Sequence, residues 1–166
     1  MSPRSPVLDS PTKGQVSVLA DEANRRDAPP SKHSGLTVLS VSGLEDDHVT
    51  LGHIFSHSNW RLRSARNLGD AFEALRTETI SVAICERDLP DGTWKNLLAE
   101  LALCETPPVL VVSSRIADDC LWAEVLNLGG CDVLAKPFDA KEVVWAVSMA
   151  WNDWKNRSRQ SQGALV

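Results

Sequence analysis

From Thr37 onward the chain alternates two kinds of apolar pattern. Thr37 to Val41 (TVLSV), Val82 to Cys85 (VAIC) and Val109 to Val112 (VLVV) are short, β-branched runs with hardly a polar break, the form of strands covered on both faces of a parallel sheet. Trp60-Arg61-Leu62-Arg63 alternates apolar with charged residues, which predicts an edge strand with one wetter face. Val133-Leu134-Ala135 predicts a fifth, short strand. Between the strands, apolar residues recur at helical spacing: Leu68, Ala71, Phe72 and Leu75, then Trp94, Leu97, Leu98 and Leu101, each set forming one face able to cover a sheet. A fourth helix through Leu121, Val125 and Leu128 stops at Gly129-Gly130, residues suited to a left-handed cap. A fifth begins at Asp139, with Glu142 three residues on, and runs through Val143, Val147 and Trp151. The first helix, near Asp46 to His57, is the least periodic.

Strict strand–helix alternation predicts βαβ units and a parallel sheet. Five of each fit an α/β, flavodoxin-like doubly wound sheet of order 2-1-3-4-5, whose ligand site lies at the carboxyl ends of strands one and three.

Composition sets the limits of that domain. Residues 1–35 are rich in Ser, Pro, Asp and Arg, with only Val16 to Ala20 to bury, and are expected to form a disordered arm. Residues 156–166 turn polar again and read as a flexible tail, leaving 36–155 as the domain of a stand-alone unit. With 166 residues and 43% hydrophobic content, one core is affordable and little remains for a second. A net charge of -5 argues against a surface that grips nucleic-acid phosphates. No apolar run has the length of a membrane helix, and the amino terminus lacks a secretory apolar core, so a cytoplasmic chain is expected. Cys85, Cys104, Cys120 and Cys131 form no CxxC pair and read as reduced, mostly structural thiols.

Three landmarks follow the strands in order: Leu89-Pro90-Asp91-Gly92 after the third, Ser113 after the fourth, and Lys136-Pro137-Phe138 after the fifth. This series, over about 120 residues, resembles the receiver domain of bacterial two-component response regulators. The resemblance implies a phosphorylation site in which Lys136 and Ser113 flank the acceptor, and a cis bond before Pro137. It places the phosphoacceptor, an aspartate in that family, at Glu86. It also places the acidic pair that helps hold a divalent metal at Ser42 and Gly43, and the aromatic switch residue at Val133. Three of these five positions depart from the family pattern.

The departures change the expected chemistry. Phosphoryl transfer needs charge neutralised by a metal and a lysine, and Mg²⁺ is anchored by one or two carboxylates. With Ser42 and Gly43 in the acidic positions, no resident cofactor is expected and Mg²⁺ affinity should be weak. Glutamate also moves the carboxylate by about 1 Å, a misplacement able to cost about a hundredfold in rate. The longer side chain would instead let Glu86 meet Lys136 directly and imitate the phosphorylated arrangement. The plainer alternative is a drifted residue at a disused site. Glu45, Asp46 and Asp47 open the first helix; a shift of the first loop would bring one of them over the sheet, but such acids are more often caps facing the helix dipole.

Other features have simpler explanations. Asp88 and Asp91 flank the loop proline, and turn chemistry accounts for Asp91-Gly92. His53 and His57 are four apart, as two zinc ligands on one helix face would be, but no third ligand is near. Trp122 and Trp145 lie off the apolar stripes of the fourth and fifth helices, and exposed tryptophan is enriched at binding hot spots. The resemblance implies a signalling face on those same elements, so a partner or homodimer surface is expected there.

The leading expectation is a receiver-like interaction module, a pseudo-receiver, in phosphorelay signalling. It would not be an enzyme, would work without its own phosphorylation, and would meet a histidine kinase or downstream regulator, not nucleic acid or membrane. The alternative is a genuinely phosphorylated receiver with an unusual carboxylate. A flavodoxin-like cofactor binder is a third reading, weakened because Ser42-Gly43-Leu44-Glu45 makes a poor phosphate cradle.

Overall fold

Three strands built mainly of Val, Ile, Leu and Ala are covered on both faces, and they form the middle of the sheet. The computed structural model describes residues 35–163; the arm expected over residues 1–35 lies outside the described residues apart from Gly35. In chain order the elements are β1 (Thr37–Val41), α1 (Glu45–Phe55), β2 (Arg61–Ala65), α2 (Leu68–Thr77), β3 (Val82–Glu86), β4 (Asp88–Leu89), β5 (Gly92–Thr93), α3 (Trp94–Leu101), β6 (Val109–Ser114), α4 (Asp119–Leu128), β7 (Asp132–Ala135) and α5 (Ala140–Gly163).

The main sheet has five parallel strands in the order β2-β1-β3-β6-β7, the flavodoxin-like arrangement expected from the alternation. Arg61 and Arg63 keep β2 wet at its edge, where both lie near Glu78. β4 and β5 pair antiparallel as a two-stranded hairpin in the loop after β3. The sequence reading has only a turn there, because two-residue strands are too short to show a period.

Side chains alternate between two cores, as the pleat requires. Leu39, Ala83, Cys85, Leu110 and Val112 face α2, α3 and α4 through Ala71, Ala74, Trp94, Leu97, Leu121 and Val125. Val38, Val82, Ile84, Val109 and Val111 face α1 and α5 through Leu51, Phe55, Val143, Val147 and Ala150. Capping sets the helix ends. Asn67, Thr93 and Asp118 accept from first-turn amides of α2, α3 and α4, and Gly129 closes α4 with φ 110°. Asp139 accepts from the amides of Lys141 and Glu142.

Two boundaries differ from the sequence reading. α1 ends at Phe55, so His57 lies in the turn beyond it, exposed, and does not share a helix face with His53. α5 continues through Gly163, so residues 156–163, expected as tail, are helical. That stretch holds no proline or glycine before Gly163, and Arg157 pairs with Asp153 one turn back. Among the described residues no helix is long and apolar enough to cross a membrane.

Candidate functional site

Parallel pairing brings the carboxyl ends of β1, β3, β6 and β7 to one edge. Glu86, last residue of β3, stands in register with Ser113 of β6. Beyond β7 the amide of Lys136 still donates to the carbonyl of Ser114, which aims the lysine back along the sheet toward β3. The Lys136–Pro137 peptide bond is cis, as the landmark implied.

Lys136 Nζ forms ion pairs with Glu86 Oε2 and with Asp47 Oδ2. The Asp47 contact is aligned as a hydrogen bond; the Glu86 oxygen is buried and not so aligned, so its attraction to the ammonium is ionic. The lysine side chain is only 6% exposed, which places its charge inside the protein with these carboxylates as partners. The Phe138 ring adds a weaker contact, its centroid 6.0 Å from Nζ.

Asp47 is held by the end of β1. Ser42 Oγ donates to Asp47 Oδ2 at 2.6 Å and accepts from the amide of Leu44 at 3.1 Å. Next to it, His48 bridges β1 and the loop: Nε2 donates to the Ser42 carbonyl at 2.9 Å, and Nδ1 and Ser40 Oγ share a hydrogen bond at 2.9 Å. Asp47 and His48 are both buried. Gly43 is exposed, but a Cβ there would stand 3.2 Å from Pro90 Cγ, so the first loop closes on the β4–β5 turn at a glycine's width.

The sequence reading brought Glu86, Lys136 and Ser113 to one edge but did not choose Asp47. Of the three acids opening α1, Glu45 pairs with Arg66 at 2.8 Å and Asp46 is exposed, whereas Asp47 turns inward, contrary to the expectation of a simple cap. A signal was present: Asp47, Leu51 and Phe55 follow at four-residue spacing, and all three are buried, so the inward stripe of α1 begins on a carboxylate. Ser42, read as one half of an absent acidic pair, is the residue that positions it. Asp91 does more than turn: its carboxylate accepts from the amides of Leu68 at 2.9 Å and Gly69 at 3.3 Å, capping α2 from across the edge. Asp88 is exposed beside Arg87. Val133 is part-buried against the α2–α4 core. Trp122 and Trp145 are 49% and 66% exposed, and Trp122 Nε1 donates to Asp132 at 3.3 Å. Cys85 lies directly under the site, and burial, reinforced by the Glu86 carboxylate, pushes its thiol far above the usual range.

Solved structures of the same fold include signal receiver domains. The signal receiver domain of an HD domain-containing protein from Pseudomonas fluorescens superposes with a TM-score of 0.67 at 23% identity, covering 74% of this chain and 98% of that one. The fold is that of a receiver domain. A receiver domain of a putative Luxo repressor protein from Vibrio parahaemolyticus gives 0.69 at 16% identity, with 75% and 95% covered. A CheY-like receiver domain protein from Methanospirillum hungatei gives 0.66 at 16%, with 74% and 98% covered. Among curated sequences, the transcriptional regulatory protein CrdR of Helicobacter pylori is 25% identical over 116 residues. That alignment takes in 66% of this chain and 54% of CrdR, so the chain spans about half of that relative. No protein-family model matches.

The resemblance to receiver domains implies a divalent cation at this edge. Mg²⁺ needs an octahedron of oxygens anchored by carboxylates. Here the two carboxylates that converge, Asp47 and Glu86, converge on an ammonium, and Ser42 donates its proton into the same group. Among the described residues no set of three or more His, Cys, Asp or Glu side chains is arranged to hold a metal. As arranged, these residues do not fit the ion.

Proposed function

We propose that this chain is a receiver-type signalling module that acts through protein–protein contact in a two-component pathway and does not need phosphorylation to do so. The observation that carries the reading is the Lys136 ammonium paired with Glu86 and Asp47. In phosphoryl transfer a lysine and a cation neutralise charge arriving on the acceptor; here the lysine is already engaged by carboxylates of the chain. Glu86 sets its carboxylate against it, and the edge of the sheet is held in one arrangement.

Such a module binds a partner and does not turn over a substrate. Its contact face is formed by α4, β7 and α5, where Trp122, Trp145, Val144 and Met149 are exposed and large apolar side chains supply binding energy when covered. The partner is a histidine kinase, a downstream regulator or a second copy of the chain, in the cytoplasm.

Incubation of the full chain with Mg²⁺ and acetyl phosphate, followed by intact mass measurement, tests the reading. An unchanged mass is expected. A stable gain of one phosphoryl group, mapped to Glu86, would replace it with a working receiver that uses an unusual carboxylate.

A further inference from the structure

One ammonium serves two carboxylates that arrive from different elements, Asp47 from the first turn of α1 and Glu86 from the tip of β3. The side chains of Asp47 and Glu86 are 10% and 16% exposed, too little for water to separate their charges. Without a cation between them they would repel and lose hydration together. Two buried carboxylates aimed at one point are also what a hard divalent ion uses as its anchor. In this chain the point is filled by the chain itself, and the neighbouring contacts prepare it: Ser42 orients Asp47 at 2.6 Å, and His48 of α1 bonds to the Ser42 carbonyl just after β1 and to Ser40 within it.

We propose that the Lys136 ammonium is a built-in replacement for a divalent cation, joining the first turn of α1 to the tip of β3 through Asp47 and Glu86. The protein is then indifferent to Mg²⁺, and removing the lysine charge uncovers a cation site. The inference deepens the signalling reading and rests on it for the meaning of the pocket. Its test reads cation binding alone, so a phosphoryl gain in the mass experiment would sink the phosphorylation-independent reading without deciding this one.

The full chain and its Lys136→Met variant are melted in chelator and in about 10 mM Mg²⁺, a ligand present only in the second arm. The wild-type Tm is expected to agree between arms within about 1 °C, while the variant melts lower in chelator and recovers by about 3 °C or more with Mg²⁺. A variant already unfolded in chelator is expected to regain its helical circular dichroism when Mg²⁺ is added. The double variant Asp47→Asn/Lys136→Met is expected to lose the response, which assigns the ion to this pocket. A wild-type Tm that rises with Mg²⁺ overturns the proposal. So does a Lys136→Met variant that Mg²⁺ neither stabilises nor refolds, or a double variant that responds as strongly as the single one.

Discussion

Asp47 and Lys136, 89 residues apart in the chain, share a hydrogen bond above the carboxyl edge of the sheet. The contact ties the first turn of α1 to the residue that follows β7 and makes α1 part of the site. It depends on Ser42, the hydroxyl that fixes the rotamer of Asp47 from the end of β1.

Replacing Ser42 by Ala removes a hydrogen bond to a charged, buried group. A loss of about 1.5–3 kcal/mol is expected, read as a fall in the urea midpoint with an unchanged slope. A change within about 0.5 kcal/mol would mean that Asp47 needs no such support.

The thiols should separate by burial. Cys120 is exposed, whereas Cys104 and Cys131 are part-buried with thiols raised by desolvation first and by nearby carboxylates second. Alkylation at neutral pH is therefore expected at Cys120 first, with Cys85 modified only in denaturant, since the thiolate is the reactive form. Burial lifts Cys85 above the ordinary value of 9.0, so the unfolded chain releases that proton at lower pH than the folded one. The stability Cys85 contributes is complete below about pH 9 and declines as the pH rises further. Peptide mapping after timed alkylation checks the order, and early labelling of Cys85 would contradict the buried position of β3.

How much of this was legible in the residues differs between elements. The buried strands announced themselves because a strand covered on both faces has few polar positions, and Gly129 marked the end of α4 because few other residues take its φ of 110°. The β4–β5 hairpin was not legible, since two residues cannot show a period. The extent of α5 was missed because residues 156–163 are polar, and polarity was taken for loop although no residue there opposes a helix. At the site, Glu86 and Lys136 could be paired from the order of strands and landmarks. Asp47 could not be chosen by acidity alone, because Glu45 and Asp46 beside it carry the same charge; its place on the Leu51–Phe55 stripe distinguishes it.

Trp145 is the large aromatic most exposed on the proposed contact face. Its replacement by Ser is expected to change folding stability by no more than about 0.5 kcal/mol, measured by urea denaturation of the isolated chain. A loss of several kcal/mol would give Trp145 a packing role and remove it from the contact face.

The central claim is that Glu86 and Lys136 act as a coupled pair, and a double-mutant cycle with Glu86→Gln and Lys136→Met measures that coupling directly. Residues in one ionic network show interaction energies of about 0.5–3 kcal/mol. A coupling above about 1 kcal/mol is predicted, with the double variant more stable than the two single losses would sum to. Single losses that add to within about 0.3 kcal/mol would show two side chains that do not depend on each other, and would contradict the account.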